Sequence, residues 1–97
     1  MKAIQSNIDT SSEEFLGNQV RYKASVKEFR SRLSEAMKGG PEPARDKHLK
    51  RGKLLVRDRI NLLLDPNTPF LELSILAAAG QYKDQFPSAG IVTGIGL

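Results

Sequence analysis

The chain has no cysteine, no tryptophan and a single histidine among its 97 residues. Without cysteine there is neither a disulfide staple nor a thiolate metal site, and a reducing compartment is allowed. His48 has no companions at ligand spacing, which leaves no metal centre. No run approaches the roughly 20 apolar residues that a membrane helix needs. The first twenty residues hold Asp9, Glu13 and Glu14 and no long apolar run. A secretory signal requires an apolar core and a mitochondrial transit peptide avoids acids, so neither is supported. The expectation is a cytoplasmic protein, of bacterial cytosol, with no membrane partner. Apolar residues are 39% of the chain and crowd into residues 54–97. This length permits one small domain at most, and such a domain is marginal unless its core packs well.

Charge is unevenly spread. Residues 41–59 carry seven Lys or Arg (Arg45, Lys47, Lys50, Arg51, Lys53, Arg57 and Arg59) against Glu42, Asp46 and Asp58. That local excess of +4 equals the formal net charge of the whole chain. Local positive charge points to an anionic partner more than a diffuse excess does.

Residues 1–10 read as a disordered arm. Ser11 and Glu14 have the spacing of a capping box and open a helix. From there Phe15, Tyr22, Val26, Phe29, Leu33 and Ala36 or Met37 form an apolar seam, broken once by Gln19. Glu28 and Arg32, four apart, can pair. Gly39-Gly40-Pro41 ends this helix, which spans about residues 12–38. The seam fits packing against its own domain or a neighbouring subunit better than a free coiled coil, because the repeat lasts barely three heptads. Pro41-Glu42-Pro43 reads as a stiff link. A short basic helix is expected over 44–51, ending at Gly52, and a third over 56–64. In that third helix Ile60, Leu63 and Leu64 share a face and Arg57, Arg59 and Asn61 lie away from it. Asp65 to Pro69 is a turn by composition. Residues 70–76 and 89–97 then alternate as strands, joined by a loop tipped with Tyr82 and Phe86. A strand running out at residue 97 leaves a bare sheet edge, so a truncation is expected there.

Gly94-x-Gly96 lacks the third glycine and the helix of a dinucleotide fingerprint. Its glycines fit close strand packing or twist instead. His48 has no orienting carboxylate on its helix face, which makes it a structural hydrogen-bonder or a phosphate contact more than a general base. The basic cluster has three readings. It can be a solvated face. It can bind nucleic acid, although every aromatic lies outside residues 30–69 and no nucleic-acid partner is expected. Or Arg51 and Lys53, about the permissive Gly52, can hold a small phosphorylated ligand. Composition alone does not choose among them.

The ordered pattern does more. It runs Arg45-x-x-His48-x-x-Arg51-Gly52-Lys53-Leu54-x-x-Arg57-x-Arg59-Ile60-x-x-Leu63-x-Asp65-Pro66. Pro69-Phe70-Leu71-Glu72-Leu73 follows, and later Ala89-Gly90-Ile91-Val92-Thr93-Gly94-Ile95-Gly96. This resembles the start of the carboxyltransferase (β) subunit of biotin-dependent acyl-CoA carboxylases. The methylcrotonoyl-CoA branch is nearest, with propionyl-CoA and geranyl-CoA carboxylases beside it. Residues 70–74 and the Tyr82 loop tilt toward that branch. Val56 stands where the family usually has proline, and Leu97 where it has arginine.

The resemblance implies an α/β fold. Residues 11–97 would be the N-terminal part of an acyl-CoA carboxyltransferase N domain: N-terminal helices plus the first strands of a crotonase-like (ClpP/crotonase) domain, truncated. It implies transfer of carboxyl from carboxybiotin to an acyl-CoA, 3-methylcrotonoyl-CoA first, in leucine degradation. Biotin would ride on a biotin carboxylase/biotin carrier partner, and the full-length subunit would be a homo-oligomer. Enolate formation would be held by backbone amides that lie beyond the matched region. No catalytic role therefore falls on any residue here, and the fragment alone would be inactive and partly disordered beyond about residue 69. Arg51, Lys53 and Arg45 are the candidates for CoA phosphates, with internal ion pairing as the rival use of their charge. The reading from a different class is a small basic helical module for binding or assembly, without catalysis.

Overall fold

A computed structural model describes residues 1–97. Its elements are α1 (Glu13–Met37), α2 (Glu42–Lys50), α3 (Val56–Leu63), β1 (Leu71–Leu73) and β2 (Thr93–Ile95). Two tight turns, Tyr82–Asp84 and Pro87–Gly90, lie between the strands. The chain divides into two units, residues 1–31 and residues 32–97.

The first unit is the leading segment and most of α1. Its start is capped one residue later than the capping-box spacing suggests. Ser12 Oγ accepts from the Phe15 amide at 3.2 Å, and its carbonyl receives Leu16 N–H at 3.0 Å. Ser11 is unavailable because its hydroxyl donates to Asp9 Oδ1 at 2.6 Å and its amide reaches the same oxygen at 2.9 Å. Those Ser11 bonds, the hydroxyl first, hold the Asp9 carboxyl below the ordinary carboxylate range. Glu13 and Glu14 in the first turn add favourable charge at the positive end of the helix. Of the apolar seam, Phe15, Val26, Leu33 and Ala36 are half-buried, while Tyr22 and Phe29 are exposed.

The second unit begins with the end of α1. Gly39, at φ +91°, turns the chain out of the helix. The basic helix α2 starts at Glu42, two residues earlier than expected. Pro43 does not oppose this: in the first turn its missing N–H is one that has no helical partner anyway. Ala44 and Arg45 donate to the Pro41 carbonyl at 2.9 and 3.1 Å.

Both strands are shorter than their alternation suggests. β1 ends where Ser74 takes a left-handed φ of +55°. Left-handed Ser88, Ala89 and Gly90 turn the segment just before β2. The strands pair antiparallel, Leu71 with Ile95, Glu72 with Gly94 and Leu73 with Thr93. The face built from Leu71, Leu73 and Ile95 is open, at 60%, 46% and 65% exposure. The opposite face holds Phe70 and Glu72, both half-buried. Beyond β2, Asp65 N–H donates to the Leu97 carbonyl at 2.8 Å, so the last residue returns to the end of α3.

No apolar side chain is fully buried, and Ser88 is the one buried polar residue.

Candidate functional site

The site grows from the basic segment and the loop that faces it in the second unit. α2 ends in a paired turn. Gly52 N–H donates to the Leu49 carbonyl at 2.9 Å and Lys53 N–H to the His48 carbonyl at 3.4 Å. This is the Schellman arrangement, and it requires the left-handed φ of +74° that glycine at 52 accepts. The His48 ring closes the same turn from the side, with Nε2 2.9 Å from the Leu54 carbonyl. A carbonyl only accepts, so Nε2 carries the proton in this contact. His48 is thus a structural hydrogen-bonder. The amides of Gly52 and Lys53 are likewise engaged, so any ligand contact at this turn comes from the side chains of Arg51 and Lys53.

Arg57 is not on the outer face of α3. With Ile60 and Leu64 it shares the half-buried side, at spacings of three and four, whereas Leu63 is 83% exposed. Its Nε donates to Glu72 Oε2 at 3.0 Å and its Nη2 to Oε1 at 2.5 Å, a bidentate pair. Its Nη1 donates to the Met37 carbonyl at 3.0 Å, at the C-terminus of α1. Nη2 also reaches Ser88 Oγ at 3.4 Å, and that hydroxyl donates onward to the Ile75 carbonyl at 3.0 Å. The Glu72 side chain is 7% exposed. One guanidinium therefore joins α1, α3, β1 and the turn before β2. α1 has no basic residue in its last turn, and cations from downstream meet its orphan carbonyls. Sequence reasoning missed Arg57. The signal was present: an arginine at the position that continues an Ile60–Leu64 stripe backwards.

The third arginine of the segment acts similarly. Half-buried Arg45 donates from Nη1 to the Lys38 carbonyl at 3.3 Å. It lines a cavity of about 700 Å³, walled by Glu35, Ala36 and Lys38 to Glu42 on one side and by Ile75 to Gly80, Lys83 to Gln85 and Pro87–Ser88 on the other, with Arg32 also in its lining. Seven of the eight left-handed non-glycine residues lie between Ser74 and Ala89. Strain of this kind gathers where a backbone is held for a purpose. Among the three sequence candidates, Arg45 is in this cavity. Arg51 lines a separate, shallower depression with Pro43, Asp46, Lys47 and Lys50. Lys53 is exposed and lines neither. No cluster of His, Cys, Asp or Glu suited to a metal is present, and no helix is long and apolar enough to cross a membrane.

Residues 47–97 match the carboxyl transferase domain family. Over 71 residues the chain is 56% identical to the biotin-dependent 3-methylcrotonyl-coenzyme A carboxylase beta1 subunit of Mycobacterium tuberculosis, covering 73% of this chain and 13% of that protein. It is 42% identical over 93 residues to the mitochondrial methylcrotonoyl-CoA carboxylase beta chain of Arabidopsis thaliana, covering 96% and 16%. Among solved structures, the beta subunit of P. aeruginosa geranyl-CoA carboxylase superposes with a TM-score of 0.76 at 44% identity, over 98% of this chain and 18% of that one. The chain thus spans less than a fifth of the length of each of these relatives. The three helices and paired strands match part of a crotonase-like carboxyltransferase subunit, and the chain belongs to the carboxyl transferase domain family.

Proposed function

We propose that this chain is the N-terminal part of the carboxyltransferase subunit of a biotin-dependent acyl-CoA carboxylase acting on 3-methylcrotonoyl-CoA. The observation that carries it is the 56% identity to a subunit named for that substrate, supported by a second methylcrotonoyl-CoA relative matched over 96% of the chain. On this reading residues 11–97 open the N domain, and carboxyl moves from carboxybiotin to the acyl-CoA. A partner presents the biotin, and no side chain of this chain is assigned to it. The complete subunit is a cytoplasmic homo-oligomer. Arg45, Arg51 and Lys53 are the cations proposed for the phosphates of CoA, and the oxyanion donors lie outside these residues.

The test is carboxylation by the complete reading frame that encodes these residues, produced with its biotin-carrying partner. A higher kcat/KM for 3-methylcrotonoyl-CoA than for propionyl-CoA or geranyl-CoA is expected. A reversed preference overturns the substrate, and absence of carboxylation overturns the activity. In the same enzyme Lys53→Ala should raise the Kd for CoA, and unchanged binding removes Lys53 from the site.

A further inference from the structure

Residues 1–31 form a unit whose one regular element is α1. Its seam there, Phe15, Gln19, Tyr22, Val26 and Phe29, steps by four and three, the repeat of a helix that packs along another helix. The unit has no second element to cover it. Tyr22 is 73% and Phe29 52% exposed, and the apolar residues of the leading segment, Met1, Ile4 and Ile8, are themselves exposed. Beside the seam runs a stripe of cations. Lys23, Lys27 and Arg30 follow one another at spacings of four and three, so they share one side of the helix. All three are exposed, and none forms an ion pair within the chain. The acids of α1 lie away from this stripe, Glu13 and Glu14 in the first turn and Glu28 and Glu35 toward the opposite side.

From this we infer that α1, through residues 15–30, docks against an amphipathic helix of another protein that carries Asp or Glu beside its own apolar stripe. Charges flanking an apolar seam pair across two packed helices and select the partner. Lys23 and Arg30, with Lys27 behind them, offer cations and ask for carboxylates. A second copy of this chain does not supply them: the flanking positions of the seam here are Leu16, Asn18, Lys23, Ser25 and Arg30, with no acid among them. A lipid surface fits less well. Helices that lie in a membrane interface have a broad apolar face and a polar face rich in Lys and Arg. This seam is narrow, and the remaining surface includes Glu13, Glu14, Glu28 and Glu35. The inference does not rest on the carboxyltransferase reading, because it uses no substrate and no residue assigned to one.

The test is fluorescence anisotropy with two labelled synthetic helical peptides of about four heptads, both with Leu and Val along the seam. One has Glu at the flanking positions and the other Lys. The Glu-flanked peptide should bind the chain saturably, and the Lys-flanked peptide should not. Lys23→Glu combined with Arg30→Glu should weaken the Glu-flanked peptide about tenfold. The same double variant should take up the Lys-flanked peptide, a reversal that loss of structure does not produce. The complete reading frame that encodes these residues should bind the Glu-flanked peptide as the chain does. The inference is overturned if both peptides bind alike, if neither binds, or if charge reversal leaves the preference unchanged. It is also overturned if the complete subunit does not bind, which would place downstream residues on the seam. Sedimentation of the chain as a dimer that Phe29→Ala dissociates would put a second copy there instead, and phosphatidylserine vesicles that displace the peptide would put a lipid surface there.

Discussion

Replacing Arg57 by leucine is expected to destabilise the second unit by about 3–5 kcal/mol, because it strands the Glu72 carboxylate with its partner gone. The Glu72 side chain is 7% exposed, and no other cation is seen to bond it. The same substitution frees the Met37 carbonyl at the end of α1 and the Ser88 hydroxyl beside β2. Small domains are stable by only about 5–15 kcal/mol, and one without a buried apolar core belongs at the low end. Urea unfolding followed by circular dichroism should show a large fall in midpoint. Arg57→Lys should recover little of it, since an ammonium cannot serve two carboxylate oxygens and a carbonyl in one plane. The pairing of Arg57→Leu with Glu72→Leu should restore part of the loss, because two apolar groups remove the stranded charge. An unchanged midpoint in Arg57→Leu would refute the account.

Gly94→Ala carries the second large effect. A methyl group at residue 94 would sit 2.3 Å from Phe70 Cζ, 2.5 Å from Phe70 Cε2 and 2.6 Å from the Leu71 carbonyl oxygen. The phenyl ring can turn, but the carbonyl belongs to the paired strand and cannot move without breaking register. Overpacking of this kind costs about 1–3 kcal/mol, and Gly94→Val should exceed that by adding two carbons. Gly17→Ala is the control. Position 17 is in α1 with nothing within 4 Å, so alanine should leave stability unchanged or raise it by about 0.5–1 kcal/mol. Equal effects at 94 and 17 would show that the close approach of Phe70 is not what glycine serves.

The helices were legible because their signals are local. Serine, acidic residues and a glycine–proline stop bracket α1, and Gly52 ends α2 by the one conformation it tolerates best. The resemblance was legible because many weak matches fell in order. Strand length was not, since the breaks at Ser74, Ser88 and Ala89 use left-handed residues that have no special liking for that region. Nor was the use of the cations. Counting charge treats Arg51 and Arg57 as equals, yet Arg57 is sealed in a bidentate pair with Glu72. The local excess of +4 therefore overstates what an incoming anion would meet. The alternating glycines at 94 and 96 suit close packing, and the Phe70 ring against Gly94 is the packing partner.

The Arg57 junction also bears on how the chain is made. The Met37 carbonyl waits for a donor 20 residues downstream, and that donor waits a further 15 for Glu72 and 31 for Ser88. Proteins are synthesised and begin to fold from the N-terminus. On the ribosome, then, α1 emerges with a loose end, and the residues that fasten it are translated only after the helix itself is complete.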